Sequence, residues 1–64
     1  MKYLSKLGDI RREKGITQRE LAEKSGISYD SIIKIERGGV PNPTVDTAVK
    51  LSKALGVDIN RLLR

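Results

Sequence analysis

The sequence predicts an all-α fold: five short helices and no strands, packed as one domain over residues 1–64. Three observations carry this expectation. Apolar residues recur at three- and four-residue spacing in each segment between turn signals, the period of a helix buried on one side. Hydroxyl or Asp residues stand before most of these segments and Gly after them, the start and stop signals of helices. With 64 residues, 38% of them apolar, the chain can fill one small core but not two.

The first helix is expected from about Lys2 to Lys14, with Leu4, Leu7, Ile10 and Arg11 on one stripe and Gly15 as its stop. The second opens at "TQRE", a capping box in which Thr17 is the N-cap and Glu20 reaches back. Leu21, Ala22 and Ser25 form its inner face. Gly26 stands where the chain needs a positive φ. Ser28 caps the third helix, which runs to about Arg37 and ends at Gly38. "GGVPNPT" is a loop, with Pro41 and Pro43 as breakers. Thr44 caps the fourth helix, where Val45, Ala48, Leu51, Ala54 and Leu55 share a face up to Gly56. Asp58 caps the fifth, with Ile59, Leu62 and Leu63 as its apolar side.

The middle of the chain is divided by "SGIS", which holds a stop and a start in four residues. Gly26 turns the chain, Ile27 plugs the corner and Ser28 begins the next helix. Two helices crossing steeply around so short a turn form a helix-turn-helix, here over residues 17–37. Ala22 fits such a crossing, because a close approach needs a small side chain on the second helix. Alanine is also simply a good helix former, so the argument rests on Ala22, Gly26 and Ile27 together.

Projected at 100° per residue, the third helix puts Ile32, Ile35 and Glu36 on one side, with Ser28 nearby. Asp30, Lys34 and Arg37 point the other way, with Ile33 beside them and Tyr29 and Ser31 flanking the first turn. The outer side therefore offers donors, an acceptor, an aromatic ring and an apolar surface. That mixture suits the major groove of DNA, with its acceptors, donors and thymine methyls. An ordinary solvated face would carry Lys and Glu in place of Tyr29 and Ile33. Glu36 is an anion on the inner stripe at the carboxyl end of its helix, where the dipole disfavours it. If buried it needs a cation, and Arg11, on the inner stripe of the first helix, is the candidate; the alternative is a Glu that reaches solvent at the helix end.

Composition narrows the chemistry. Thirteen Lys and Arg against eight Asp and Glu give a net charge of +5, which favours a polyanionic partner. The absence of His and Cys removes the usual general base, the usual metal ligands and any disulfide. No Gly-rich phosphate loop opens a helix. An enzyme, a metal site and a cofactor are therefore not expected. "MKYLSKLGDIRREKG" lacks a signal-peptide hydrophobic stretch, and no segment is long enough to span a bilayer. The expected location is the cytoplasm. Charges alternate in sign along most helices, so a membrane-surface role is not expected either.

The stretches "LGDIRREKGITQRELAEKSGIS", "KIERG" and "NPTVDTAVKLSKALGVDINRLL" resemble the lambda-repressor and Cro-like helix-turn-helix family, also called the XRE family. The resemblance covers about Leu4 to Leu63. It implies a lambda-repressor-like five-helix domain that binds double-stranded DNA, with the third helix in the major groove. It implies that Gln18 clamps a phosphate beside Thr17, and that Arg11 both pairs with Glu36 and leans on the DNA backbone. Ser28, Tyr29, Asp30 and Lys34 take base-reading positions, with Ile33 alongside. Arg37 and Asn42 meet the flanking backbone. Three features depart from the family: the loop "GGVPN" has no basic residue, Ile33 replaces a residue that is often polar, and Asp30 brings an anion to the groove.

The function implied is sequence-specific regulation of transcription, by default repression, acting as a dimer on a roughly palindromic operator. Family dimers usually meet near the fifth helix and the end of the fourth, where Val57, Leu62 and Leu63 either supply a small apolar patch or belong to the core. So small a surface implies a dimer formed mainly on DNA. Full repressors carry a second, oligomerising domain, which 64 residues do not accommodate. The competing expectation is an antitoxin-like or other protein-interaction module that regulates itself through DNA. A co-purified protein partner would distinguish it.

Overall fold

The computed structural model describes residues 4, 6–38 and 43–62. Among them are five helices: α1 (Leu7–Glu13), α2 (Gln18–Ser25), α3 (Tyr29–Glu36), α4 (Val45–Leu55) and α5 (Ile59–Leu62). No described residue is in a strand.

The helix starts follow from local chemistry. Thr17 Oγ1 accepts from the Glu20 N–H at 3.0 Å, and Glu20 Oε1 accepts from the Thr17 N–H at 2.7 Å. This reciprocal pair satisfies two donors at the amino end of α2 that the helix itself cannot. Ser28 Oγ accepts from the Ser31 N–H, and Thr44 Oγ1 from the Thr47 N–H, both at 3.1 Å. Asp58 Oδ1 accepts from the Asn60 N–H at 2.8 Å. Gly26 closes α2 at φ +75°, a conformation costly for any residue with a Cβ. It lets the chain reach the Ser28 cap after one further residue.

The core holds Leu4, Leu7, Ile10, Leu21, Ile32, Ile35, Ala48, Leu51, Leu55 and Leu62, with Ile16, Ala22, Ile27, Ala54, Val57 and Ile59 packed on it. α4 lies against α2 and α5, α2 against α3, and α1 against α3. Ile27 is half-buried at the corner between α2 and α3, as its plugging position requires. Every element contributes to one core, so none of these short helices stands alone. The Lys6 N–H donates to the Leu62 carbonyl at 3.1 Å and fastens the entry of α1 to α5.

Two expectations are corrected, and one alternative is decided for Leu62. The first helix starts at Leu7, with Lys6 as a cap that has no side-chain hydrogen bond. Leu4 is buried but not helical, because the backbone there turns to meet α5. Val45 is 65% exposed: periodicity assigns it to the inner face, but the first turn of a helix can project past its packing partners. Leu62 is fully buried in the core, so it offers nothing to a subunit contact. Val57 is half-buried against the same core. Leu63, Asn42 and most of the "GGVPN" loop lie outside the described residues.

Candidate nucleic-acid interface

The carboxyl end of α3 is fixed by the Glu36 carboxylate. Arg11 donates to Glu36 through Nε to Oε2 at 2.7 Å and through Nη2 to Oε1 at 3.2 Å. Arg11 Nη1 also donates to the Ile16 carbonyl at 2.8 Å. The two side chains are 11% and 9% exposed. The fork geometry suits a guanidinium, and charge-assisted bonds of this kind are the strong ones. The Glu36 hydrogen bond, offset by burial and reinforced by its charge, raises the Arg11 pKa above its ordinary value. Three of the five Arg11 N–H donors are taken, leaving two for another partner.

Gln18 joins this lock. Its Nε2 donates to Glu36 Oε1 at 3.1 Å, so one carboxylate binds α1, α2 and α3 together. Composition and periodicity carry no sign of this contact, which crosses 18 residues of sequence. Gly8 belongs to it as well. A Cβ placed there would lie 3.1 Å from Glu36 Oε1 and 3.3 Å from its Cδ. A glycine in the first turn of a helix, where Ala would add stability, was the available signal of a close approach.

The outer face of α3 is open along its length. Asp30, Lys34 and Arg37 are exposed, while Tyr29, Ser31 and Ile33 are half-buried. Ser28 is exposed and held by its cap, its hydroxyl also donating to Ser31 Oγ at 2.8 Å. Among the described residues, Lys34 and Arg37 make no ion pair; the four that form use Arg11, Arg12, Lys50 and Arg61. Lys34 lines an open groove between α3 and α4 with Ser28, Ser31, Pro43, Thr44 and Thr47. Thr17 and Gln18 stand at the start of α2.

Sequence reasoning missed Arg19. Its guanidinium carbon lies 4.4 Å from the centroid of the Tyr29 ring, stacked across the gap between α2 and α3. Arg19 is exposed and, among the described residues, has no acidic partner.

A family model described as helix-turn-helix matches residues 7–62. The chain is 47% identical over 53 residues to the HTH-type transcriptional regulator y4dJ of Sinorhizobium fredii, covering 83% of this chain and 68% of that protein. It is 36% identical over 58 residues to the HTH-type transcriptional regulator SinR of Bacillus subtilis, covering 91% and 52%. It is 33% identical over 61 residues to the cryptic phage CTXphi transcriptional repressor RstR of Vibrio cholerae, covering 95% and 54%. The chain thus spans about half the length of SinR and RstR. Among solved structures it resembles the restriction-modification controller protein C.AhdI from Aeromonas hydrophila, with a TM-score of 0.85 at 30% identity over 92% of this chain and 88% of that one.

Proposed function

The chain belongs to the helix-turn-helix family of lambda-repressor and Cro-like DNA-binding transcriptional regulators, and from that premise we propose that it represses transcription as a dimer on a roughly two-fold-symmetric operator. Its family is one of regulators and not of enzymes. In this reading α3 enters the major groove and α2 crosses the backbone beside it. The observation that carries it is the division of α3 into a tied inner side and an open outer face. Glu36 fixes the helix to α1 and α2, while Lys34, Asp30 and Arg37 are exposed.

The roles follow from chemistry. Lys34 donates to guanine O6 and N7, and Asp30 accepts from a cytosine amino group. Ser28 reaches the outer base pair, and Ile33 offers its methyl surface to thymine. Gln18 uses its second amide N–H on a phosphate beside Thr17, at a helix start where the dipole favours an anion. Arg11 supports that phosphate with its two remaining donors, and Arg37 and Asn42 hold the flanking backbone. Repression follows by occlusion of the promoter, and RstR, a repressor by name, is similar over 95% of this chain. Among the described residues Val45 is the large apolar side chain left exposed, which is little for a free dimer, so the pair assembles mainly on DNA.

Selection of bound duplexes from a random pool tests the reading. The expected result is two related half-sites about 10–10.5 base pairs apart, centre to centre. A pool that stays random, or a single site without symmetry, would contradict the proposal.

A further inference from the structure

We propose that Arg19 is a phosphate-contacting residue of the DNA interface, and that Tyr29 positions it through the face of its ring. This rests on the DNA-binding reading above and adds a residue and a device to it. A guanidinium stacked 4.4 Å from a ring centroid is held by the negative face of the π system. Stacking occupies one face of the guanidinium and leaves its N–H edge, the part that binds phosphate bidentately, unobstructed. Among the described residues no carboxylate competes for that edge.

The placement favours phosphate over base. Arg19 is in the first turn of α2, next to Gln18, and Tyr29 is the first residue of α3. The first helix of a helix-turn-helix crosses the backbone while the second lies in the groove. The stack therefore joins the backbone-holding helix to the reading helix, and the arginine sits on the backbone side. An unstacked Arg at an exposed helix position must lose its side-chain freedom on binding. With Tyr29 beneath it, part of that loss is already met in the free protein.

The test uses the duplex enriched from the random pool and a mixed-sequence duplex, with affinity measured by fluorescence anisotropy across a KCl series. Variants are Arg19→Ala, Tyr29→Phe, Tyr29→Leu and the Arg19→Ala/Tyr29→Leu double, each checked for an unchanged thermal melt. Arg19→Ala should reduce the slope of log K against log salt by about 0.9 per bound protomer and leave the preferred sequence unchanged. Tyr29→Phe keeps the ring and should retain the parent's slope. Tyr29→Leu should weaken binding by about two- to fivefold, and most of that loss should vanish in the Arg19→Ala background. An unchanged slope in Arg19→Ala, with the parent's slope steep, would overturn the proposal alone. So would a change of preference at one base pair, which would make Arg19 a guanine reader. Equal losses from Tyr29→Leu in both backgrounds would show that the stack positions nothing. If the parent enriches no duplex and binds mixed DNA without salt dependence, the DNA reading itself fails, and the proposal with it.

Discussion

At the carboxyl end of α3, Glu36 accepts from α1 through Arg11 and from α2 through Gln18, and only 9% of its side chain is exposed. At the amino end, the cap is made within the helix by Ser28 and Ser31, and Asp30 lies open to solvent. One eight-residue helix thus has a side fixed by its neighbours and, from Asp30 through Lys34 to Arg37, a face that turns outward. A helix this short cannot hold its own orientation, so its neighbours must aim it. Changes on the tied side should reduce stability and weaken all DNA sequences alike. Changes on the open face should alter preference and leave stability nearly constant.

Glu36→Ala should give the largest effect. It removes the acceptor of three hydrogen bonds and leaves Arg11 nearly buried without its counter-charge. Losing one partner of such a pair costs about 3–5 kcal/mol. The lower end is expected, because Arg11 keeps the Ile16 carbonyl. For a domain of this size 3 kcal/mol lowers Tm by more than about 12 °C. A melt within 2–3 °C of the parent, on the order of 0.5 kcal/mol, would mean that α3 is aimed by packing alone.

Ala22→Leu tests the packing between α2 and α3. Ala22 is half-buried against the core, and overfilling such a site costs about 1–3 kcal/mol. Thermal melting should fall accordingly, and binding should weaken on every operator. A parent-like melt would show room between the helices. Gly8→Ala should be milder. The new Cβ would press Glu36 at 3.1 Å, and a carboxylate held by three bonds cannot yield without lengthening them. A loss of about 1 kcal/mol is expected; a rise in Tm would show that Glu36 moves freely.

The smallest effect concerns pH. With no His in the chain, affinity should change by less than about twofold between pH 6 and 8. Arg11 agrees in sign. Its raised pKa means that its contribution to stability is complete below the unfolded value. That contribution is lost only when pH rises past the folded value, far above this window. A sharp step in affinity between pH 6 and 8, followed by titration of binding, would assign the contact to groups other than those named.

Much of this comparison was legible in the sequence, and what was hidden has a common cause. The capping box at Thr17 and Glu20, the turn at Gly26 and the Ser28 cap are local, so adjacent residue types determine them. The Arg11–Glu36 pair was found at long range because a charge on an apolar stripe demands a partner. Gln18 on Glu36 and Arg19 on Tyr29 gave no such signal, since both are polar residues at exposed-looking positions that would be equally satisfied by water. Val45 and the start of α1 failed for a further reason. Periodicity shows which face turns inward but not where neighbouring elements begin and end.

The central claim is that reading and holding are done by different residues, and affinity against a panel of single-base operator changes at fixed salt tests it most directly. Lys34→Ala and Gln18→Ala are compared with the parent. Lys34→Ala should cost about 1–3 kcal/mol on the preferred site and flatten the preference at one base pair per half-site, with its melt within about 0.5 kcal/mol of the parent. Gln18→Ala should weaken every operator by the same factor and keep the preferred sequence. Uniform weakening by Lys34→Ala, or an altered preference in Gln18→Ala, would contradict the division of labour between the outer face of α3 and the residues that hold it.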